Sequence, residues 1–195
     1  MDPDILNAPQ PQTSFKSHII ELFETLVVFA AILTAVYWLV AQPHKVSGSS
    51  MLPNFKDGDY IITDKLTYRF GDPQRGDVVV FKNPKDLSQD FIKRIIGLPG
   101  ERVKVLGGKV YLNDAVLNEP YLNNIYTEPH SFMQEGEEVT VPPQRYLTFG
   151  DNRPHSSDSR EWGFVEKNEL IGKVFLRYWP KETFGFFPSA YSFPN

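Results

Sequence analysis

Two residues of this 195-residue chain have the types and spacing to do covalent chemistry together. Ser50 opens the run Ser50-Met51-Leu52-Pro53, and Lys93 follows about forty residues later in Phe91-Ile92-Lys93-Arg94. A serine hydroxyl attacks poorly until a base takes its proton, and no histidine in the sequence makes a convincing partner for Ser50. A desolvated lysine can be that base. In a strand, Phe91, Lys93 and Ile95 share a face. An ammonium hemmed in by such neighbours loses hydration, and its pKa falls from about 10.4. Each segment also has a plainer reading: Ser47-Gly48-Ser49-Ser50 as a polar linker, and Lys93-Arg94 as a solvated pair on a sheet edge. A third segment, Gly150-Asp151-Asn152-Arg153-Pro154-His155-Ser156-Ser157-Asp158-Ser159-Arg160, reads by composition as a polar turn. Its hydroxyls and paired charges could equally orient a lysine.

The elements that must position these residues are mostly strands. Short runs such as Tyr60-Ile61-Ile62-Thr63, Val78-Val79-Val80-Phe81, Phe91 to Ile96, Tyr146-Leu147-Thr148-Phe149 and Val174 to Tyr178 are rich in β-branched and aromatic residues. Gly107-Gly108 lies between Val-Lys-Val-Leu and Lys-Val-Tyr-Leu, which reads as a hairpin. Only Glu166 to Leu170 looks like a soluble helical turn. Residues 42–180 are therefore expected to form a mainly β, antiparallel domain with protected edges, in which 118–137 is a loop or small cap.

Upstream, Thr25 to Ala41 carries no charge and is close to the roughly 17 residues a spanning helix needs. With Ile19, Ile20, Leu22 and Phe23 added, 18–41 reads as a transmembrane anchor. Its apolar residues cover every face, unlike those of a core helix. No small-x-small pattern follows it, so it reads as retained rather than cleaved. Lys16 and His18 on one side balance His44 and Lys45 on the other, which leaves orientation open. Residues 1–17 form a polar tail. The carboxy-terminal residues 181–195, with Phe184, Phe186, Phe187, Tyr191 and Phe193, form an aromatic tail that rests either on lipid headgroups or on the β-domain.

Composition narrows the function. A net charge of −4 with scattered basic residues gives no footprint for nucleic acid. The absence of cysteine excludes disulfides and thiolate metal sites. No metal-ligand cluster, phosphate loop or nucleotide fingerprint occurs, so no cofactor is inferred.

The three segments, in this order after an apolar anchor, resemble the bacterial type I signal peptidase family over about Val46 to Tyr178. The resemblance implies a signal-peptidase-like pair of β-sheets and one transmembrane helix. Ser50 would be the nucleophile and Lys93 the general base, and Ser156 would hydrogen-bond and orient the lysine. Asp158 and Arg160 would form a supporting charged pair, and Asp151 and Arg153 would brace the turn. The oxyanion region falls on Gly48, Ser49 and Ser50. Gly48 stands where some relatives carry a serine whose hydroxyl assists, and Asn54 stands where a threonine is common. The substrate pocket maps to Val46, Met51, Phe55, Phe91 and Ile92, and His155 matches no catalytic position. The implied activity is removal of signal peptides from exported preproteins after small residues at −1 and −3. It would be carried out at the plasma membrane by a single-pass monomer with its catalytic domain on the extracytoplasmic side. Ser50 lies about nine residues past Ala41, within about 30 Å of the bilayer edge.

Two other classes fit parts of the pattern. A self-cleaving repressor peptidase shares a Ser/Lys site and β-fold, but carries a DNA-binding region where this chain has an apolar one. A silent, membrane-tethered β-domain that binds peptides by strand addition would have the same anchor and sheet but no need for both Ser50 and Lys93.

Overall fold

The computed structural model describes residues 15–123 and 125–187. The expected polar tail up to Ser14 and the tail beyond Phe187 lie outside the described residues. Contacts divide the chain between Trp38 and Leu39.

The first unit holds all but the last residue of helix α1 (Phe15–Leu39), none of whose 25 residues is buried. At about 1.5 Å per residue it is longer than a hydrocarbon core of about 30 Å. It is long and apolar enough to cross a membrane. Its threonines satisfy themselves, since Thr25 and Thr34 donate to the Glu21 and Ala30 carbonyls at 2.8 Å. Ala41, which hydropathy alone assigns to the anchor, begins a strand instead and pairs with Asp64.

The second unit is built on two antiparallel sheets. Its strands are β1 (Ala41–Lys45), β2 (Tyr60–Asp64), β3 (Val78–Asn83), β4 (Asp86–Gly97), β5 (Arg102–Leu106), β6 (Lys109–Leu112), β7 (Ala115–Val116), β8 (Glu138–Thr140), β9 (Arg145–Phe149), β10 (Val165–Glu166), β11 (Leu170–Trp179) and β12 (Gly185–Phe186). The larger sheet runs β1-β2-β11-β3-β4-β9-β10, with β12 added to β11. The smaller runs β7-β6-β5-β8. Its central hairpin turns at Gly107 and Gly108, both at positive φ, a conformation open to glycine without a Cβ clash.

β3 and the second half of β4 are almost wholly buried. Both faces of the sheet are therefore covered there, which explains their continuous apolar runs. One apolar cluster joins the small sheet to Ile96, Leu147 and Phe149 and takes in Tyr121 and Met133 from the segment 118–137. That segment contains no strand or helix among its described residues. A second cluster gathers Val46, Met51, Phe55, Ile61, Val78, Val80 and Val174 around the turn that carries Ser50. Phe187 stacks on Phe55 with ring centres 4.6 Å apart, while Phe184 and Phe186 are exposed.

The expectation of one soluble helical turn is corrected. Lys167–Glu169 is a 3-10 turn closed by a reciprocal Glu166–Glu169 capping box. Helices α2 (Thr67–Phe70) and α3 (Ser159–Trp162) form as well. Four residues are too few for a hydrophobic period to be seen in sequence. α3 is set by its N-cap, where the Asp158 side chain accepts from the Arg160 N–H.

Candidate active site

Three parts of the β-domain meet at Ser50: the β1–β2 connection, the middle of β4, and the turn after β9. The connection is held by its own backbone, with Val46 N–H on the Asp59 carbonyl at 2.8 Å and Leu52 N–H on the Ser49 carbonyl at 3.1 Å. Gly48 lies at φ +91°, and its N–H donates to Asp57 Oδ1 at 2.8 Å. That N–H is therefore already engaged by a carboxylate. The turn after β9 grips the connection directly. Asn152 donates from its backbone N–H to the Ser50 carbonyl at 2.9 Å and from its side chain to the Ser49 carbonyl at 3.0 Å.

Lys93 enters from β4, in register with Val79 of β3. Its side chain is 4% exposed as a residue, and Nζ lies 2.8 Å from Ser50 Oγ and 3.1 Å from the Ile92 carbonyl. The Phe91 ring centre is 5.0 Å away. Burial pushes the Lys93 amine down to about 8, against the pull of the Asp158 and Asp151 carboxylates and with help from Arg160. The amine is thus poised to be neutral at mildly alkaline pH, where it can accept the Ser50 proton.

The expected lysine-orienting bond from Ser156 is not formed. Ser156 Oγ is buried without a hydrogen-bond partner. It lies over Gly150 instead, so closely that a Cβ there would meet it at 2.1 Å and the Ser50 carbonyl oxygen at 2.5 Å. The second contact of Lys93 is the Ile92 carbonyl. Gly150 is therefore the residue that lets the turn close on the serine.

Beneath this surface lie three buried ion pairs. Arg160 binds Asp158 through Nε and Nη2, both at 2.8 Å, with both side chains fully buried, and Asp158 also accepts the Gly150 N–H at 2.9 Å. Arg94 binds Asp151 in a fork of 2.8 and 2.7 Å. Arg153 pairs with Glu119 and donates to Thr127 Oγ1 at 2.7 Å. Each charge is compensated, which burial demands. Arg94, Glu119 and Thr127 were missed by sequence reasoning, because a partner many residues away on another element leaves no local pattern. Asn54, noted only as a departure, donates to Asp151 Oδ2 at 2.8 Å and the Tyr121 carbonyl at 3.1 Å.

A groove runs past Ser50 and Lys93. Val46, Phe91 and Ile92 line it, with Gly48, Ser49, Ile61 and Val80. Met51 and Phe55 do not; at 1% and 0% exposure they belong to the core behind Val46. The correction has a simple cause, since a chain turning back on itself after Ser50 buries its apolar side chains inward. His155, expected at the surface, is exposed and also borders the groove, as do His44, Lys45 and Asp90. Among the described residues, no group of three His, Asp or Glu side chains is arranged to hold a metal.

A serine hydroxyl against a buried lysine, on an antiparallel scaffold and beside a groove, is the equipment of a hydrolase that works through a covalent acyl intermediate. Residues 19–179 match the family described as signal peptidase, peptidase S26. The chain belongs to that family, whose members are serine endopeptidases. It is 40% identical over 172 residues to a probable signal peptidase I-2 of Synechocystis, a match covering 85% of this chain and 76% of the relative. It is 36% identical to the signal peptidase I of Leptolyngbya laminosa, covering 91% and 87%. A solved signal peptidase I from Enterococcus faecalis is 35% identical, covering 52% of this chain and 96% of that one, with a TM-score of 0.45.

Proposed function

We propose that this protein is a membrane-anchored signal peptidase I that removes signal peptides from exported preproteins with a Ser50–Lys93 dyad. The observation that carries the proposal is the 2.8 Å contact between Ser50 Oγ and a buried Lys93 Nζ. Neutral Lys93 takes the Ser50 proton as Oγ attacks the scissile carbonyl carbon. The oxyanion that forms is held by the Ser50 N–H, and each donor of this kind is worth about 3 kcal/mol. Lys93 then returns the proton to the leaving amine, and the amino-terminal fragment stays as an ester on Ser50. Water, deprotonated by the same amine, attacks the ester and frees Ser50.

Val46, Phe91 and Ile92 wall the groove beside the nucleophile, with Met51 and Phe55 rigid behind them. Apolar walls with little depth favour small residues at −1 and −3. Asp158 with Arg160, Asp151 with Arg94, and Arg153 with Glu119 hold the turn that fixes Ser50. α1 tethers the enzyme to the plasma membrane as a single-pass monomer with residues 42–180 outside the cytoplasm. Enzyme and substrate then share one surface, and their effective concentration rises.

The test is incubation of the detergent-solubilised protein with a preprotein bearing an Ala-x-Ala junction, beside Ser50→Ala and Lys93→Ala variants, with the cut mapped by mass spectrometry. Cleavage after the second alanine, lost in both variants, is expected. Intact preprotein with well-folded wild type across neutral to alkaline pH overturns the proposal.

A further inference from the structure

The polar part of the groove wall contains an arrangement that the peptidase reaction does not use. His44 and Asp90 both line the groove. His44 Nε2 lies 3.2 Å from Thr63 Oγ1, and Thr63 decides which of the two donates. Its hydroxyl has one proton, which goes to the Gln42 carbonyl at 3.1 Å, so the imidazole must supply the proton of the other contact. Burial pushes the His44 imidazole below its ordinary value; Asp90 pulls the other way, and Lys65 and Lys82 add to the lowering. The ring is therefore neutral at neutral pH, with its proton on Nε2 and a lone pair on Nδ1.

Nδ1 lies 4.0 Å from Asp90 Oδ2, while the other carboxylate oxygen accepts from Lys82 Nζ at 2.7 Å. Two acceptors thus lie side by side in the groove wall, and among the described residues no hydrogen bond joins either of them to a donor. We propose that His44 Nδ1 and Asp90 Oδ2 form a substrate subsite that takes a hydrogen-bond donor, the hydroxyl, amide or ammonium of a side chain, in a groove that Val46, Ile61, Val80, Phe91 and Ile92 also line. The subsite rests on the reading of Ser50 as nucleophile. Asp90 is three residues before Lys93 on β4, about 10 Å along an extended strand, so the side chain it reaches lies within about four residues of the cut. His44 and Asp90 are then specificity-determining residues: among preproteins with equally small residues at the junction, those presenting a donor at that one position are processed faster.

Threonine and valine test this cleanly, because they share a shape and differ by a hydroxyl. Peptides with an Ala-x-Ala junction, carrying Thr or Val in turn at each position within about four residues of the cut other than the two alanines, are cleaved by the full-length protein. The same peptides are bound at equilibrium to Ser50→Ala protein. At one position Thr is expected to be preferred by about five- to tenfold in both measurements. The preference drops below about twofold in His44→Phe, which keeps a ring and loses Nδ1, and in Asp90→Asn, whose amide supplies the missing donor. No preference at any position, or one unchanged in both variants, overturns the subsite. Binding is read without cleavage, so a Thr preference without turnover refutes the peptidase reading alone, and turnover without preference refutes the subsite alone.

Discussion

The carbonyl oxygen of Ser50 lies 2.9 Å from the backbone N–H of Asn152, so the serine is fixed by the turn after β9 as well as by its own loop. This closure depends on Gly150, and the consequences can be measured.

Gly150→Ala places a Cβ at 2.1 Å from Ser156 Oγ and 2.5 Å from the Ser50 carbonyl oxygen. The Ser156 hydroxyl can turn away, but Ser156 Cβ, also 2.5 Å from the new atom, and the Ser50 backbone oxygen must both move. A displacement of about 1 Å at a reacting centre costs on the order of 10²-fold in rate. The expected result is a loss of at least that size in kcat/KM on a preprotein, with substrate binding less affected.

Asp151→Ala leaves the buried Arg94 guanidinium without its carboxylate. Removing one partner of a buried pair costs about 3–5 kcal/mol. Denaturant unfolding of the full chain in detergent is expected to show a loss of that order. The double variant Arg94→Met/Asp151→Asn is expected to recover much of it, since no uncompensated charge remains.

Ser156→Ala separates the geometry seen here from the lysine-orienting role expected by resemblance. The hydroxyl is buried and unpartnered, so its removal is expected to change stability by less than about 1 kcal/mol. The midpoint of the pH–rate profile is expected to stay where it is in wild type. A shifted midpoint would mean that Ser156 engages Lys93 during turnover.

Ser50 and Lys93 were legible because both sit in short local runs, a serine before Met-Leu-Pro and a lysine inside an apolar strand, although it took three such runs in order after an anchor to favour them over a linker and a sheet-edge pair. The antiparallel β class was legible from alternating runs for the same reason. What supports the dyad was not. Asp151 meets Arg94 and Asn54 across long stretches of chain, and Arg153 meets Glu119 from a segment with no period. The placing of His44 beside Asp90 depends on β1 lying in the sheet, and Ala41-Gln42-Pro43-His44-Lys45 gives no strand signal. Ala41–Lys45 becomes a strand because β2 pairs with it. Met51 and Phe55 show the converse: the resemblance placed them in the pocket, and the fold buries them in the core behind it.

The most direct test of the central claim is the pH dependence of kcat/KM on an Ala-x-Ala preprotein. With the Lys93 amine at about 8, the protonated and inactive form dominates below that pH. The rate is therefore expected to rise about tenfold per unit up to about pH 8, then level off, with no activity in Lys93→Ala at any pH. A wild-type profile flat from about pH 6 to 9, or a Lys93→Ala protein that keeps the same profile and more than about a tenth of the rate, would contradict the assignment of Lys93 as the base.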